Sequence, residues 1–149
     1  MRILVINGPN LNMLGRREPE IYGYETYDDL CTMLRWEGKA LGVELSFFQS
    51  NHEGALVDVI QEALGTADGI LLNPGAYTHT SIALLDALKA VGLPCVEVHI
   101  SDPDQREDFR RTSYVRSACL ATIKGRGLPG YLDALHLLYA RIMEAKNTK

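Results

Sequence analysis

The chain has 149 residues, 46% hydrophobic and 23% charged, a balance ordinary for one globular domain over 1–149. Its formal charge of −4 argues against nucleic-acid binding, which needs a net-basic face to release counterions. No apolar run approaches the ~20 residues of a membrane span, and Met1–Ile6 is too short for a signal peptide before Asn7-Gly8-Pro9 interrupts it.

Taken in chain order, Ile3–Asn7 is a short β-branched run and predicts a strand. The connection after it, Gly8–Gly23, is far longer than the roughly 2–6 residues usual in α/β units, so it is a functional lid or a solvated loop. Its glycines and prolines, with Arg16, Arg17 and Tyr22 among them, favour the lid. Tyr27, Leu30, Leu34 and Leu41 then mark a helix that Thr26 can cap and Gly42 can end. A strand follows over Val43–Gln49, and Leu56, Val59, Ile60, Ala63 and Leu64 give a second helical stripe ended by Gly65. Gly69–Asn73 is the third strand. Ile82, Leu85, Leu88 and Val91 form a third helix, capped by Thr80 or Ser81 and closed by Gly92. Pro94–His99 and Ala118–Lys124 complete five strands, and Leu135, Leu138, Tyr139 and Ile142 mark a last helix.

Strands alternating with helices through short connections imply parallel pairing, right-handed crossovers and helices on both faces. The expected fold is therefore an α/β three-layer, doubly wound, flavodoxin-like sheet of five parallel strands in the order 2-1-3-4-5. Ligands of such sheets bind beyond the carboxyl ends of the strands, here the segments after Asn7, Gln49, Asn73 and His99.

Several familiar chemistries are missing there. Gly125–Gly130 matches G-x-G-x-x-G, but only one helix and no further strand follows, so it is a turn rather than a dinucleotide site. There is no P-loop and no nucleophile elbow, and the acidic residues of a phospho-receiver domain are replaced by Asn7-Gly8-Pro9-Asn10 and Asn73. Cys31, Cys95 and Cys119 are odd in number and separated in sequence, which suits reduced thiols of a cytoplasmic protein, and no His/Cys cluster suggests a metal.

What the strand ends carry is polar and basic. Asn73 and His79 flank a glycine turn that leads into a helix N-terminus, a setting that favours an anion. Glu97 and His99 lie two apart in a strand and so face one side, where the carboxylate can orient the imidazole for proton transfer. Arg106 and Arg110, four apart, stack on one face if the segment is helical; the alternative is surface pairing with Glu107 and Asp108. His52 and His136 read as structural. A tyrosine beside an arginine and a histidine beside a glutamate, with no nucleophile or metal cluster, suit proton abstraction and return, as in a lyase or isomerase acting on a small anionic substrate.

Four separated segments carry a resemblance to type II 3-dehydroquinate dehydratase. They are Gly8–Gly15 with Arg17–Gly23, Gln49–Gly54, Asn73–Ser81, and Glu97–Ser101 with Arg106, Phe109 and Arg110. The chain departs from the family pattern at Asp102 and Asp133. The resemblance implies dehydration of 3-dehydroquinate to 3-dehydroshikimate, in chorismate biosynthesis or in quinate breakdown, with no cofactor, metal or Schiff-base lysine. It implies Tyr22 as the base, with Arg17 holding it as tyrosinate, and His99 as the acid, supported by Glu97. Asn10 stands by the reacting centre. Asn73 and the amides of Ile100 and Ser101 bind the carboxylate, while His79 and Arg110 bind ring hydroxyls. Asp86 reaches the site of a neighbouring subunit in a homododecamer built from four trimers. A free tyrosine has a pKa of about 10, and a guanidinium neighbour lowers an acid's pKa by about 1–3 units, so such a pairing has a physical purpose. The rival reading from the residues is a non-catalytic module that binds a small anion.

Overall fold

The computed structural model describes residues 1–149. Five strands, β1 (Arg2–Asn7), β2 (Glu44–Gln49), β3 (Gly69–Asn73), β4 (Cys95–Val98) and β5 (Ala121–Ile123), form one parallel sheet in the order β2-β1-β3-β4-β5. The expected topology is borne out. Helices α1 (Pro19–Tyr22), α2 (Tyr27–Leu41), α3 (Glu53–Glu62), α4 (Ile82–Val91) and α5 (Pro129–Asn147) complete the chain.

The alternation of side chains along each strand divides the interior in two. Ile3, Val5, Leu71, Val96 and Val98 face α2 and α5 and pack with Leu30, Leu34, Leu135 and Leu138. Leu4, Ile6, Ile70, Leu72 and Cys95 face α3 and α4 and pack with Leu56, Ile60, Leu84 and Leu88. β1 is buried almost throughout and β3 and β4 throughout, while the edge strands β2 and β5 are partly exposed, as central and edge positions of a parallel sheet require.

The helix signals hold in detail. Thr26 accepts from the Asp29 amide in a reciprocal capping box, and Ser81, not Thr80, caps α4 by accepting from Leu84. Other expectations shift. The fifth strand begins only at Ala121, because Val115–Ala118 turns as a 3-10 helix. Leu64 lies beyond the end of α3 and is exposed. The long connection after β1 holds a 3-10 turn at Leu11–Met13 and the short helix α1, with Leu11 and Leu14 buried in the core, so its first half is anchored. The sulfurs of Cys95 and Cys119, distant in sequence, stand 3.6 Å apart as free thiols.

At the carboxyl edge of the sheet, backbones of two connections nearly touch. A Cβ on Gly8 would stand 2.3 Å from the Pro74 carbonyl oxygen, and one on Gly75, at φ +60°, would stand 2.8 Å from the Pro9 carbonyl oxygen. Beside this contact, register partners Asn7 and Asn73 are joined by Tyr131 of α5. The Tyr131 hydroxyl donates to Asn7 Oδ1 at 2.6 Å and accepts from Asn73 Nδ2 at 2.8 Å. Burial pushes the Tyr131 phenol far above its ordinary range, so it serves as a neutral bridge.

Replacing Tyr131 by Phe keeps the ring packing but leaves both buried amide groups short of a partner. The expected loss is about 1–3 kcal/mol of stability, measured by urea denaturation; an unchanged midpoint would show that the bridge carries no weight.

Candidate active site

The carboxyl ends of β1, β3 and β4 open into one cleft, enclosing about 560 Å³ with its mouth. The connection after β1 gives it Asn10, Leu11, Leu14, Arg17 and Tyr22. The turn after β3 gives Asn73, Gly75, Ala76 and His79, and the chain after β4 gives His99, Ile100, Ser101, Pro103, Arg106 and Arg110. Three guanidinium groups and no carboxylate line it, so it is a cationic hollow in an acidic chain.

Tyr22 is the last residue of α1, whose flanks are both left-handed. Glu18 has φ 37°, uncommon for a residue other than glycine, and Gly23 has φ 84°. Asn10 is also left-handed, at φ 69°, and its amide donates to Asn51 Oδ1 at 3.0 Å. These turns bring Tyr22 back over the sheet edge, where Arg106 Nη1 donates to its hydroxyl oxygen at 2.6 Å. Arg17 lies instead over the ring face, 4.7 Å from its centroid. The guanidinium at the phenol oxygen is thus that of Arg106, and the one expected there, Arg17, contributes a cation–π contact.

On the opposite wall, His99 Nε2 donates to Glu97 Oε1 at 2.6 Å, which leaves Nδ1 to carry a second proton. Glu97 is fully buried. Burial alone would push its carboxyl up, but the His99 hydrogen bond and charge and the hydroxyls of Ser113 and Thr122 outweigh it and hold it at about 2. Burial pulls the His79 imidazole below its ordinary value. Its Nδ1 donates to the Thr112 carbonyl at 2.7 Å, so Nε2 is left as an acceptor.

Of the catalytic and binding residues that the resemblance implies, all but Glu97 and Asp86 line this cleft, and Glu97 stands directly behind His99. Asp86 is exposed on α4, away from the cleft of its own chain. Asn73 is nearly buried, and its side chain also serves the turn, accepting from the Gly75 amide at 3.1 Å. The amides of Ile100 and Ser101 make no backbone hydrogen bond within the chain. Arg106 and Arg110 do not share a helix. Arg106 is extended between the 3-10 turns Pro103–Gln105 and Asp108–Arg111, and Arg110 pairs with Glu107 at 2.6 Å. His52 and His136 are outside the cleft, the latter paired with Glu37 at 2.7 Å. No three His, Cys, Asp or Glu side chains stand together in a way that could hold a metal ion.

Sequence reasoning assigned no role to Ser113, Thr122 or Tyr131, and it did not place Arg106 at the Tyr22 oxygen. Register could have found Thr122, since it is the cross-strand partner of Glu97.

Because the Glu97 carboxyl is held below its ordinary value of 4.5, it contributes stability above that pH and loses it as pH falls toward about 2. Glu97→Gln should therefore show a flatter decline of unfolding free energy across this window than the wild type, measured by urea titrations at successive pH values. Parallel declines would mean that Glu97 is not held ionised.

The family described as dehydroquinase class II matches residues 1–139. A 3-dehydroquinate dehydratase of Corynebacterium glutamicum is 52% identical over 137 residues, covering 92% of this chain and 94% of that protein. A catabolic 3-dehydroquinase of Verticillium alfalfae is 51% identical over 146 residues, covering 98% and 97%. The crystal structure of type II dehydroquinase from Butyrivibrio crossotus superposes with a TM-score of 0.91 at 51% identity, covering 93% of this chain and 97% of that one. A match of this extent, over a sheet edge built as described, places the chain in the class II dehydroquinase family.

Proposed function

We propose that this cleft dehydrates 3-dehydroquinate to 3-dehydroshikimate, a step of the shikimate pathway, through an enolate intermediate. The observation that carries the mechanism is one cleft holding both a phenol whose oxygen is hydrogen-bonded to a guanidinium and an imidazole backed by a buried carboxylate.

Tyr22 is the base. The Arg106 guanidinium donates to its oxygen and Arg17 lies over its ring, so two cationic groups face the phenol. It removes the proton from the carbon beside the ketone, and the electron pair moves onto the carbonyl oxygen as an enolate. Asn10, on the cleft wall, stands by this centre and can hold a water against the enolate oxygen. The enolate then reforms the ketone by expelling the hydroxyl two carbons away, which His99 protonates from Nδ1 as it leaves as water. One proton arrives on Tyr22 and one departs from His99, so a proton returns between turnovers.

The remaining groups bind. The unpaired amides of Ile100 and Ser101 and the second hydrogen of the Asn73 amide suit the substrate carboxylate. His79, neutral with Nε2 free, accepts from a ring hydroxyl, and Arg110 donates to another. No lysine lines the cleft, so a Schiff base has no donor there. The start of the connection after β1 is anchored, and α1, none of whose residues is fully buried, is the part of it that acts as the lid. No helix is long and apolar enough to cross a membrane, and a cytoplasmic location accords with the three free thiols.

Asp86 enters through assembly. Asp86 is exposed on α4, away from its own chain's cleft, which leaves it available to a neighbouring subunit's cleft in the proposed trimer; four trimers form the proposed dodecamer.

Turnover is followed by the ultraviolet absorbance of the conjugated product. Tyr22→Phe should lose at least about 10²-fold in kcat, the scale of a general base, while still binding substrate. Retention of more than about a tenth of wild-type turnover would exclude Tyr22 as the base.

Asp86→Ala subunits and Tyr22→Phe subunits, each nearly inactive, should regain activity when dissociated, mixed and reassembled, because some clefts then draw both intact residues from different chains. No recovery in confirmed hetero-oligomers would show that each cleft uses only its own chain.

A further inference from the structure

Glu97 has more partners than an orienting carboxylate needs. Its Oε1 accepts from His99 Nε2 at 2.6 Å and from Ser113 Oγ at 2.7 Å. Its Oε2 accepts from Thr122 Oγ1 at 2.9 Å, with Arg116 Nε 3.5 Å away. The donors come from three different places. Thr122 is on β5, directly across the sheet register from Glu97. Ser113 is in the connection between the 3-10 turns Asp108–Arg111 and Val115–Ala118, and Arg116 is on the second of these.

A buried carboxylate with a single imidazole partner faces a difficulty when that imidazole is an acid. Each time the ring gives up its proton, the carboxylate loses its counter-charge, and it must take a proton or draw water in. Two hydroxyls that donate regardless of the state of His99 remove the difficulty. They compensate the charge through the whole proton cycle, and they fix both oxygens so that the imidazole returns to one orientation and one tautomer.

We propose that Ser113 and Thr122 are positioning residues of the acid step, whose hydroxyls hold Glu97 anionic and fixed while His99 delivers and regains its proton. Neither touches the cleft; both act through Glu97. This rests on the reading of His99 as the acid. Other charged or titratable groups face the pair: His79 and Arg110 across the cleft, Cys95 along β4, and Arg116, beyond which lie Asp104 and Lys124. All of these stay in place in the variants below, so a change in pH dependence belongs to the hydroxyls.

The experiment compares Thr122→Val, Thr122→Ser, Ser113→Ala and the Ser113→Ala/Thr122→Val pair with wild type. Each hydroxyl removed should lower kcat roughly tenfold, part of the about 10²–10⁴-fold that general acid catalysis supplies, with KM nearly unchanged. Fewer donors make Glu97 easier to protonate, so the acid limb of the kcat profile should move to higher pH, furthest in the double variant. Thr122→Ser, which keeps the hydroxyl, should restore the wild-type rate and profile. Wild-type kinetics in Thr122→Val, or a Thr122→Ser variant as impaired as Thr122→Val, would overturn the proposal, the second by showing that packing and not the hydroxyl matters. A second readout needs no turnover: the downfield Nε2–H resonance of His99 in protein labelled with 15N-histidine. It should shift or broaden by exchange in Ser113→Ala, whose half-buried site tolerates the change, and an unmoved resonance there would also overturn the proposal. If the wild type fails to convert 3-dehydroquinate, the dehydratase reading falls, while the resonance still decides the clamp.

Discussion

A carboxylate with no exposed surface sits one side chain behind the cleft, and the surrounding chain is arranged to satisfy it. Glu97 occupies a central strand, on the face toward α3 and α4, where an unpaired charge would cost several kcal/mol. Its compensation draws in the edge strand β5, the irregular segment at Ser113–Arg116 and the His99 ring. The segment after β4 contains three short 3-10 elements rather than one helix, and this irregularity lets it bend back to donate Ser113 to Glu97 while projecting Arg106 and Arg110 into the cleft. A regular helix over the same residues would present those arginines as a surface pair, as their spacing alone suggests.

The second organising feature is the excess of positive charge in the cleft. Arg17, Arg106 and Arg110 converge in a hollow lined by no carboxylate, although the chain carries −4 overall. Glu107, on the outer side, pairs with Arg110 and lies 4.0 Å from Arg106, so it orients these side chains without neutralising the interior. Closure over an anionic substrate would strengthen every one of these interactions by excluding water. The connection after β1 is suited to that movement: Leu11 and Leu14 fasten its first half to the core, whereas α1 is joined to the rest of the cleft wall through the Arg106–Tyr22 hydrogen bond.

Tyr131 shows how the scaffold reaches the site from the far side. It rises from α5 in the core and meets the amides of Asn7 and Asn73 at adjacent strand ends. With Gly8 and Gly75 in backbone contact beside them, the floor of the cleft is set by main chain and by a neutral phenol. Asn73 therefore has two duties, bracing the turn and presenting a donor to the cleft.

What the sequence determined by itself is whatever has a short period. Apolar alternation and helical spacing located the strands and helices, capping residues set their ends, and the succession of the two fixed a parallel sheet whose carboxyl edge must hold the ligand. The Glu97–His99 pair was legible because side chains two apart on a strand share a face. The tertiary structure decided which groups meet across long separations. Arg106 reaches Tyr22 across 84 residues, Thr122 meets Glu97 across 25, and Tyr131 meets Asn7 across 124. No local pattern encodes these meetings, because each depends on strand register and on the path of irregular connections, and those are settled only when the two faces of the sheet bury their apolar side chains together. The exchange of Arg17 for Arg106 at the phenol oxygen has the same origin: proximity in sequence brought Arg17 to the ring of Tyr22, but the direction from which a donor can approach its oxygen was fixed by the chain after β4.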